Sequence, residues 1–467
     1  MVQPTTGIAL AAAALATLLL VLYQLRQVAW HHQNILTYSV TTTTTTAGGT
    51  ATLPFCNVQQ TLDALARADV DRGDLVRSVG HGGTAARLRR VLGRVARGED
   101  ALRIGVIGGS ISLGRHLGPG DKTYSELLLQ WALSVFPDSQ RSSFTLYNDA
   151  RGGTGSGYFR YCFKEHLRGD ENVILVELAV NDSPFSDANA RLHHLNEEKL
   201  VRELLALPQA PAVVLLGFPR QDEFVTAEES LLQLAVYYDL PLISLRNTVY
   251  SQAFSHQISV KDVHKRLGML HHHPDQRGHA LMAHLLIHFL QTHALPCGGG
   301  GDHADSAAAA LGPAVDYGVP AEAMYLTWRA IATSEGCWTI ETKTPSLVPD
   351  GPLDGWELHE INGKRSYRTS VPSRPISFGF RTDKTNMHAY LFNLRAEYLN
   401  GTVGECYVDN AREDAATVPT LPLQDGQVNL NVGARTAIAL VPLPGEHRMT
   451  CQLVSGNDFR IMGILTD

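Results

Sequence analysis

The apolar run Leu102 to Ile107, LRIGVI, passes directly into Gly108-Gly109-Ser110-Ile111-Ser112-Leu113-Gly114. A serine on a glycine-rich turn between a strand and a helix presents its hydroxyl at the top of a sheet, and small neighbours let backbone N–H groups face an oxyanion. That is the setting of an acyl-transfer nucleophile. The same glycines could cradle a phosphate, but no Lys-Ser or Lys-Thr pair follows them, so a P-loop is a weak alternative. Three later segments carry complementary chemistry: Asn148-Asp149-Ala150-Arg151-Gly152-Gly153-Thr154-Gly155, then Ala179-Val180-Asn181-Asp182, then His273-Pro274-Asp275-Gln276-Arg277-Gly278-His279. A backbone N–H and a carboxamide are neutral donors that can stabilise an oxyanion without being protonated. A histidine titrates near neutrality, so it can take the serine proton and return it to a leaving alcohol.

In this order, the four segments resemble the blocks of the SGNH (GDSL-like) hydrolase superfamily, over roughly Leu102 to Leu295. The resemblance implies a serine esterase with Ser110 as nucleophile and His273 as base. It also implies an oxyanion hole made of Ser110, Gly153 and Asn181, with no cofactor and no metal. More narrowly, the GGS variant, the GGTGS run, VELAVND and the later segments ECYVDN, GEHRMTCQL and FRIMGI are similar to a group of fungal membrane-anchored SGNH proteins with a trailing β-domain. That likeness points to an O-acyl ester, above all O-acetyl, on a cell-wall or capsule glycan.

Two positions depart from the superfamily pattern. Gly109 stands where an Asp usually precedes the nucleophile, and Leu270 stands three residues before His273, where the triad acid is expected. Three readings stay open. A Ser110-His273 dyad could work with a backbone carbonyl orienting the ring, another carboxylate could reach in, or activity could be lost. Asp262, in Lys261-Asp262-Val263-His264, is the expected substitute, because the segment that follows it is long enough to fold back on His273. Asp275 sits at the start of the last helix and reads better as its N-cap.

Rival functions share some of these residues. O-acetyl transfer to a sugar hydroxyl uses the same acyl-serine chemistry. A metal hydrolase could use His271, His272 and His273 with His284 and His288, four apart on one helix face, but no carboxylate or cysteine completes a ligand set. A degenerate domain that only binds glycan is the non-enzymatic alternative.

The nucleophile turn needs a sheet to carry it. Strand-like runs at Leu102–Ile107, Ser143–Tyr147, Val173–Val180, Ala212–Phe218 and Leu240–Leu245 alternate with helical patterns at Tyr124–Phe136, Glu197–Leu207, Glu228–Tyr238 and Gln276–His293. Such alternation predicts right-handed crossovers and a doubly wound parallel-sheet α/β/α sandwich, with the chemistry beyond the carboxyl ends of the strands. Leu62 to Gly98 reads as one or two entry helices. After Cys297 the run GGGGDHADSAAAALGP marks a linker, and beyond it short alternating segments between Gly, Pro and Asn turns predict an all-β sandwich. The expected organisation is therefore an anchor and stem at 1–50, the hydrolase domain at 51–296, a flexible linker at 297–320 and a β-sandwich at 321–467.

A chain of 467 residues exceeds what one core can organise, and its net charge of −7 argues against a nucleic-acid partner. Gly7 to Tyr23 is an uncharged apolar run that reads as a membrane anchor or, if cleaved, as the signal peptide of a secreted protein, and Thr41 to Thr46 suits an extended, O-glycosylated stem. Six cysteines and the Asn400-Gly401-Thr402 sequon fit an oxidising lumen, so the body is expected in the secretory pathway or at the cell surface. Cys406 and Cys451 lie in two of the predicted strands and are expected to pair.

Overall fold

The computed structural model describes residues 54–467 apart from 137–140, 183–192, 221–225, 271–272, 296–315, 317, 326–335, 344, 362, 396–400 and 420–431. The expected anchor, the threonine stem, Asn400 of the sequon and nearly all of the expected linker lie outside these residues. Among those described, no helix is long and apolar enough to cross a membrane.

The first domain opens with α1 (Val58–Arg67), α2 (Arg72–Ser78), β1 (Val79–His81) and α3 (Ala86–Ala96). In α3 the side chains of Leu88, Val91, Leu92 and Val95 are buried, the spacing of one helix face, while arginines occupy the other. Next come β2 (Arg103–Gly108), α4 (Tyr124–Val135), β3 (Thr145–Asn148), α5 (Ser156–Cys162), β4 (Val173–Glu177), α6 (His193–Leu205), β5 (Ala212–Gly217), α7 (Glu228–Tyr238) and β6 (Leu242–Ser244). After α8 (Leu245–His256) and α9 (Val260–Arg266), a two-residue ladder pairs β7 (Met269–Leu270) with β8 (His273–Pro274), and α10 (Gln276–Phe289) closes the domain.

The strands form one six-stranded sheet in the order β1-β6-β5-β4-β2-β3. All pairs are parallel except β1 with β6. Every residue of β4 and of β5 is buried, as expected for central strands covered on both faces. The strand order reverses at β2, so its carboxyl end lies at a topological switch point, where such sheets open a crevice.

Three features differ from the sequence reading. The entry segment contains the edge strand β1, too short and too glycine-containing to show a period. The third strand stops at Glu177, because Asn181 and Asp182 turn back to donate their N–H groups to the Leu178 carbonyl at 2.9 and 3.0 Å. Helices α5, α8 and α9 were not anticipated, and the last two carry the chain towards His273.

The second domain is an antiparallel sandwich. One sheet runs β10 (Glu357–Ile361), β11 (Lys364–Thr369), β18 (Phe459–Thr466), β13 (Met387–Arg395), β16 (Val432–Val441), with β9 (Gly336–Thr339) also paired to β18. The other runs β12 (Ile376–Thr382), β17 (Gly445–Ser455), β14 (Val403–Val408), β15 (Ala416–Pro419). Phe378, Phe380, Leu391, Met449, Phe459 and Ile461 fill the space between them. Cys406 and Cys451 face each other in register and form the expected disulfide.

The domains are joined more closely than a linker alone would predict. Cys162, at the end of α5, is disulfide-bonded to Cys337 in β9. Phe392, Met462 and Leu465 of the sandwich share a core with Tyr158, Phe159 and Tyr161 of α5. Near the end of the expected linker, Asp316 is held by Arg87 Nε at 3.1 Å and Arg90 Nη1 at 2.9 Å.

Candidate active site

β2 delivers the chain into the Gly108–Gly114 turn, and a carboxylate from the neighbouring strand holds that turn. Glu177, the last residue of β4, receives on Oε2 the Gly109 N–H at 3.3 Å, the Ser112 N–H at 3.3 Å and the Ser112 hydroxyl at 3.0 Å. Ser112 Oγ also lies 2.6 Å from the buried Tyr124 hydroxyl. Ser110 sits between the two anchored residues, and its carbonyl accepts the Arg115 N–H at 3.0 Å. Burial pushes the Glu177 carboxyl up to about 7, against the three donors that favour its charge.

Ser110 Oγ lies 2.7 Å from His273 Nε2, so a residue from β8 meets one 163 positions earlier at hydrogen-bond distance. Asp275 caps α10 by accepting the Arg277 and Gly278 N–H groups at 2.8 and 3.4 Å, which fixes the backbone two residues after His273. Leu270 is the cross-strand partner of His273 in the β7-β8 ladder.

The third group arrives from the end of β4. The Asn181 side-chain amide donates from Nδ2 to the Thr154 carbonyl at 3.0 Å. It also explains Gly109, because a Cβ there would lie 1.9 Å from Asn181 Nδ2. The space that an aspartate would need beside Ser110 is filled by the carboxamide. Asp182 turns the other way: both of its oxygens accept the Ser156 N–H, at 2.9 and 3.0 Å, and so cap α5, whose own N-cap residue, Gly155, has no side chain to do so.

The glycine loop lies against Ser110. A Cβ on Gly152 would sit 3.5 Å from Ser110 Cβ, and Gly153 adopts φ 61°, a left-handed conformation that favours glycine. The Thr154 hydroxyl donates to the Gly152 carbonyl at 3.2 Å, and the Arg151 N–H donates to the Gly108 carbonyl at 3.0 Å.

Ser110, His273, Asn181 and the Gly152-Gly153 loop are thus brought together at the carboxyl end of the sheet. This arrangement can deprotonate a hydroxyl, direct it at a carbonyl and meet the resulting oxyanion with N–H donors.

No family model matches the chain, and no curated protein matches it in sequence. Among solved structures, a two-domain esterase active on acetylated mannans is similar over 84% of this chain and 97% of its own, with a TM-score of 0.60 and 19% identity. The same type of esterase co-crystallised with mannopentaose gives a TM-score of 0.58 over the same shares, also at 19% identity. The two-domain fold is shared.

The structure does not bring Asp262 to the cluster. Its carboxylate accepts the Ser259 hydroxyl at 2.6 Å on the exposed first turn of α9, where the pair caps that helix. His284 and His288 lie half-buried along α10, where burial lowers the pKa of both. Among the described residues no group of three or more His, Cys, Asp and Glu side chains could hold a metal ion. His271 and His272 lie outside the described residues.

Two site residues escaped the sequence reading. Glu177 was absorbed into the apolar run VILVELAV, where a lone carboxylate inside a buried strand was the available signal. His116, exposed and at φ 73°, places its ring edge-on to His273 with centroids 4.7 Å apart. Nothing in its sequence surroundings marks it.

Proposed function

We propose that this protein is a serine esterase of the SGNH type that removes O-acyl groups, above all O-acetyl, from a glycan. The observation that carries the reading is the 2.7 Å contact between Ser110 Oγ and His273 Nε2 at the switch point of the sheet, with Asn181 beside it. In the first half-reaction Ser110 Oγ attacks the ester carbonyl and its proton passes to His273 Nε2. Gly153 and Ser110 N–H groups and the Asn181 amide receive the oxyanion. Its collapse breaks the ester bond, and the leaving sugar oxygen takes the proton from His273. Water then repeats the sequence on the acyl-serine, releasing the carboxylic acid and restoring Ser110.

An acetylated glycan is favoured because the structurally similar two-domain esterase acts on acetylated mannans. A secretory-pathway or cell-surface location, with residues 7–23 as membrane anchor, is in keeping with the disulfides Cys162–Cys337 and Cys406–Cys451. The test is twofold: labelling by a fluorophosphonate probe mapped by mass spectrometry, and acetate release from an aryl acetate and from acetylated mannan. Label on Ser110 with turnover of both esters is the expected result. A folded protein whose Ser110 stays unlabelled and which releases no acetate would end the esterase reading.

A further inference from the structure

A buried charge of the second domain reaches the candidate site. Ile361, the last residue of β10, lies opposite Lys364, the first residue of β11, which follows Gly363 at φ 74°. Lys364 is only 4% exposed, and its Nζ lies 3.4 Å from the Thr154 hydroxyl oxygen. That hydroxyl donates onward to the Gly152 carbonyl, beside Ser110, and the Thr154 carbonyl holds Asn181 Nδ2. We propose that Lys364 is a positioning residue, supplied by the β-domain, which fixes the glycine loop and Asn181 in the geometry that receives the oxyanion.

Physical cost argues for a role. Burying an ammonium is unfavourable unless something specific is obtained in return, and a methionine of similar length would fill the same space without that cost. The surroundings do not amount to a simple ion pair. Glu341, which accepts the Arg365 N–H at 2.6 Å, attracts the ammonium, while Arg151 of the glycine loop and Arg115 of the nucleophile loop repel it. Arg151 is itself balanced by Asp149, 2.7 Å away, and Asp149 is also 3.1 Å from His166 Nδ1. Burial, with the two arginines, pushes Lys364 down to about 8 despite Glu341. The charged donor is therefore present at neutral pH and is lost as pH rises through that value.

The proposal rests on the esterase reading for its kinetic arm and not for its structural arm. In the full chain, Lys364→Met should lower kcat on an aryl acetate about tenfold with KM changed less than about twofold, because the loop acts on the transition state. The alkaline fall of wild-type kcat near pH 8 should vanish in this variant, and its melting temperature should stay level or rise. Thr154→Val, which removes the other side of the contact, should give a similar loss, and the double variant should be no worse than either single one. Hydrogen exchange supplies a readout independent of turnover: peptides covering 151–157 should exchange faster in Lys364→Met, while those covering β4 stay unchanged. If wild-type protein fails to turn over ester, the esterase reading falls, and exchange alone decides the positioning. Unchanged exchange in 151–157, or a kcat and pH profile identical to wild type in an active enzyme, would overturn the proposal.

Discussion

The two loops that flank Ser110 are held in opposite ways. The Gly108–Gly114 turn takes its support from Glu177, one strand away in the same sheet, through three hydrogen bonds to one carboxylate oxygen. The glycine loop touches Lys364, from another domain and 210 positions later, through a single contact to Thr154. Among the described hydrogen bonds, the Gly108–Gly114 turn is braced from within the α/β unit, whereas the glycine loop also meets the sandwich. Nucleophile reactivity and transition-state stabilisation should therefore respond separately to mutation.

The largest effect should come from the oxyanion side. Asn181→Ala is expected to lower kcat by about 10²–10³-fold with little change in KM, since an oxyanion donor acts mainly in the transition state. Steady-state kinetics with fluorophosphonate labelling in parallel sharpen the contrast, because Ser110 should still label. A defect confined to KM would make Asn181 a substrate contact and remove half of the comparison.

A smaller loss should follow on the nucleophile side, where Glu177→Gln keeps the shape but weakens the acceptor; about tenfold in kcat is expected. Stability gives a second handle. The Glu177 carboxyl is raised from 4.5 to about 7 in the folded chain, so the folded state binds more protons there than the unfolded state does. Its contribution is fully present below pH 4.5 and is lost as pH rises through 7, by about 3 kcal/mol in all. Melting curves across this range should show the wild type losing stability relative to Glu177→Gln. Parallel curves would mean that Glu177 ionises near its ordinary value, its three donors offsetting burial.

The smallest effect is expected at Asp262. As an exposed helix-capping carboxylate it should tolerate Asn with kcat within about twofold, because Asn also caps helices well. A loss of tenfold or more would mean that the first turn of α9 rearranges to bring this carboxylate to the His273 ring, as the order of residues along the chain had led us to expect.

These contrasts bear on what could be read from the chain alone. The continuous apolar character of VILVE and AVVLLG, alternating with helical periods, was enough to predict a parallel sheet, and the turn-rich texture after Cys297 was enough for the sandwich. The convergence of Ser110, Asn181 and His273 was legible because each ends a strand or precedes a helix in a fixed order. Asp275 was legible as a cap because Asp before a helix has a local reason to be there. Glu177 was not, since its partners depend on which strand lies beside β2. Lys364 was further out of reach, because no local pattern records a contact between a hairpin tip and a loop in another domain. Gly109 looked like a departure, yet Asn181 explains it once the two are side by side.

The dependence of α5 on the sandwich has a consequence for biosynthesis. Tyr158 packs on Phe392 and reaches the Thr339 hydroxyl at 3.1 Å, and the Tyr161 hydroxyl donates to Asp467, 306 positions further along the chain. At roughly 5–20 residues per second, a ribosome needs about 15–60 s to make that interval. For that time the nascent α/β unit carries an aromatic helix face without its covering sheet and a glycine loop without the Lys364 contact.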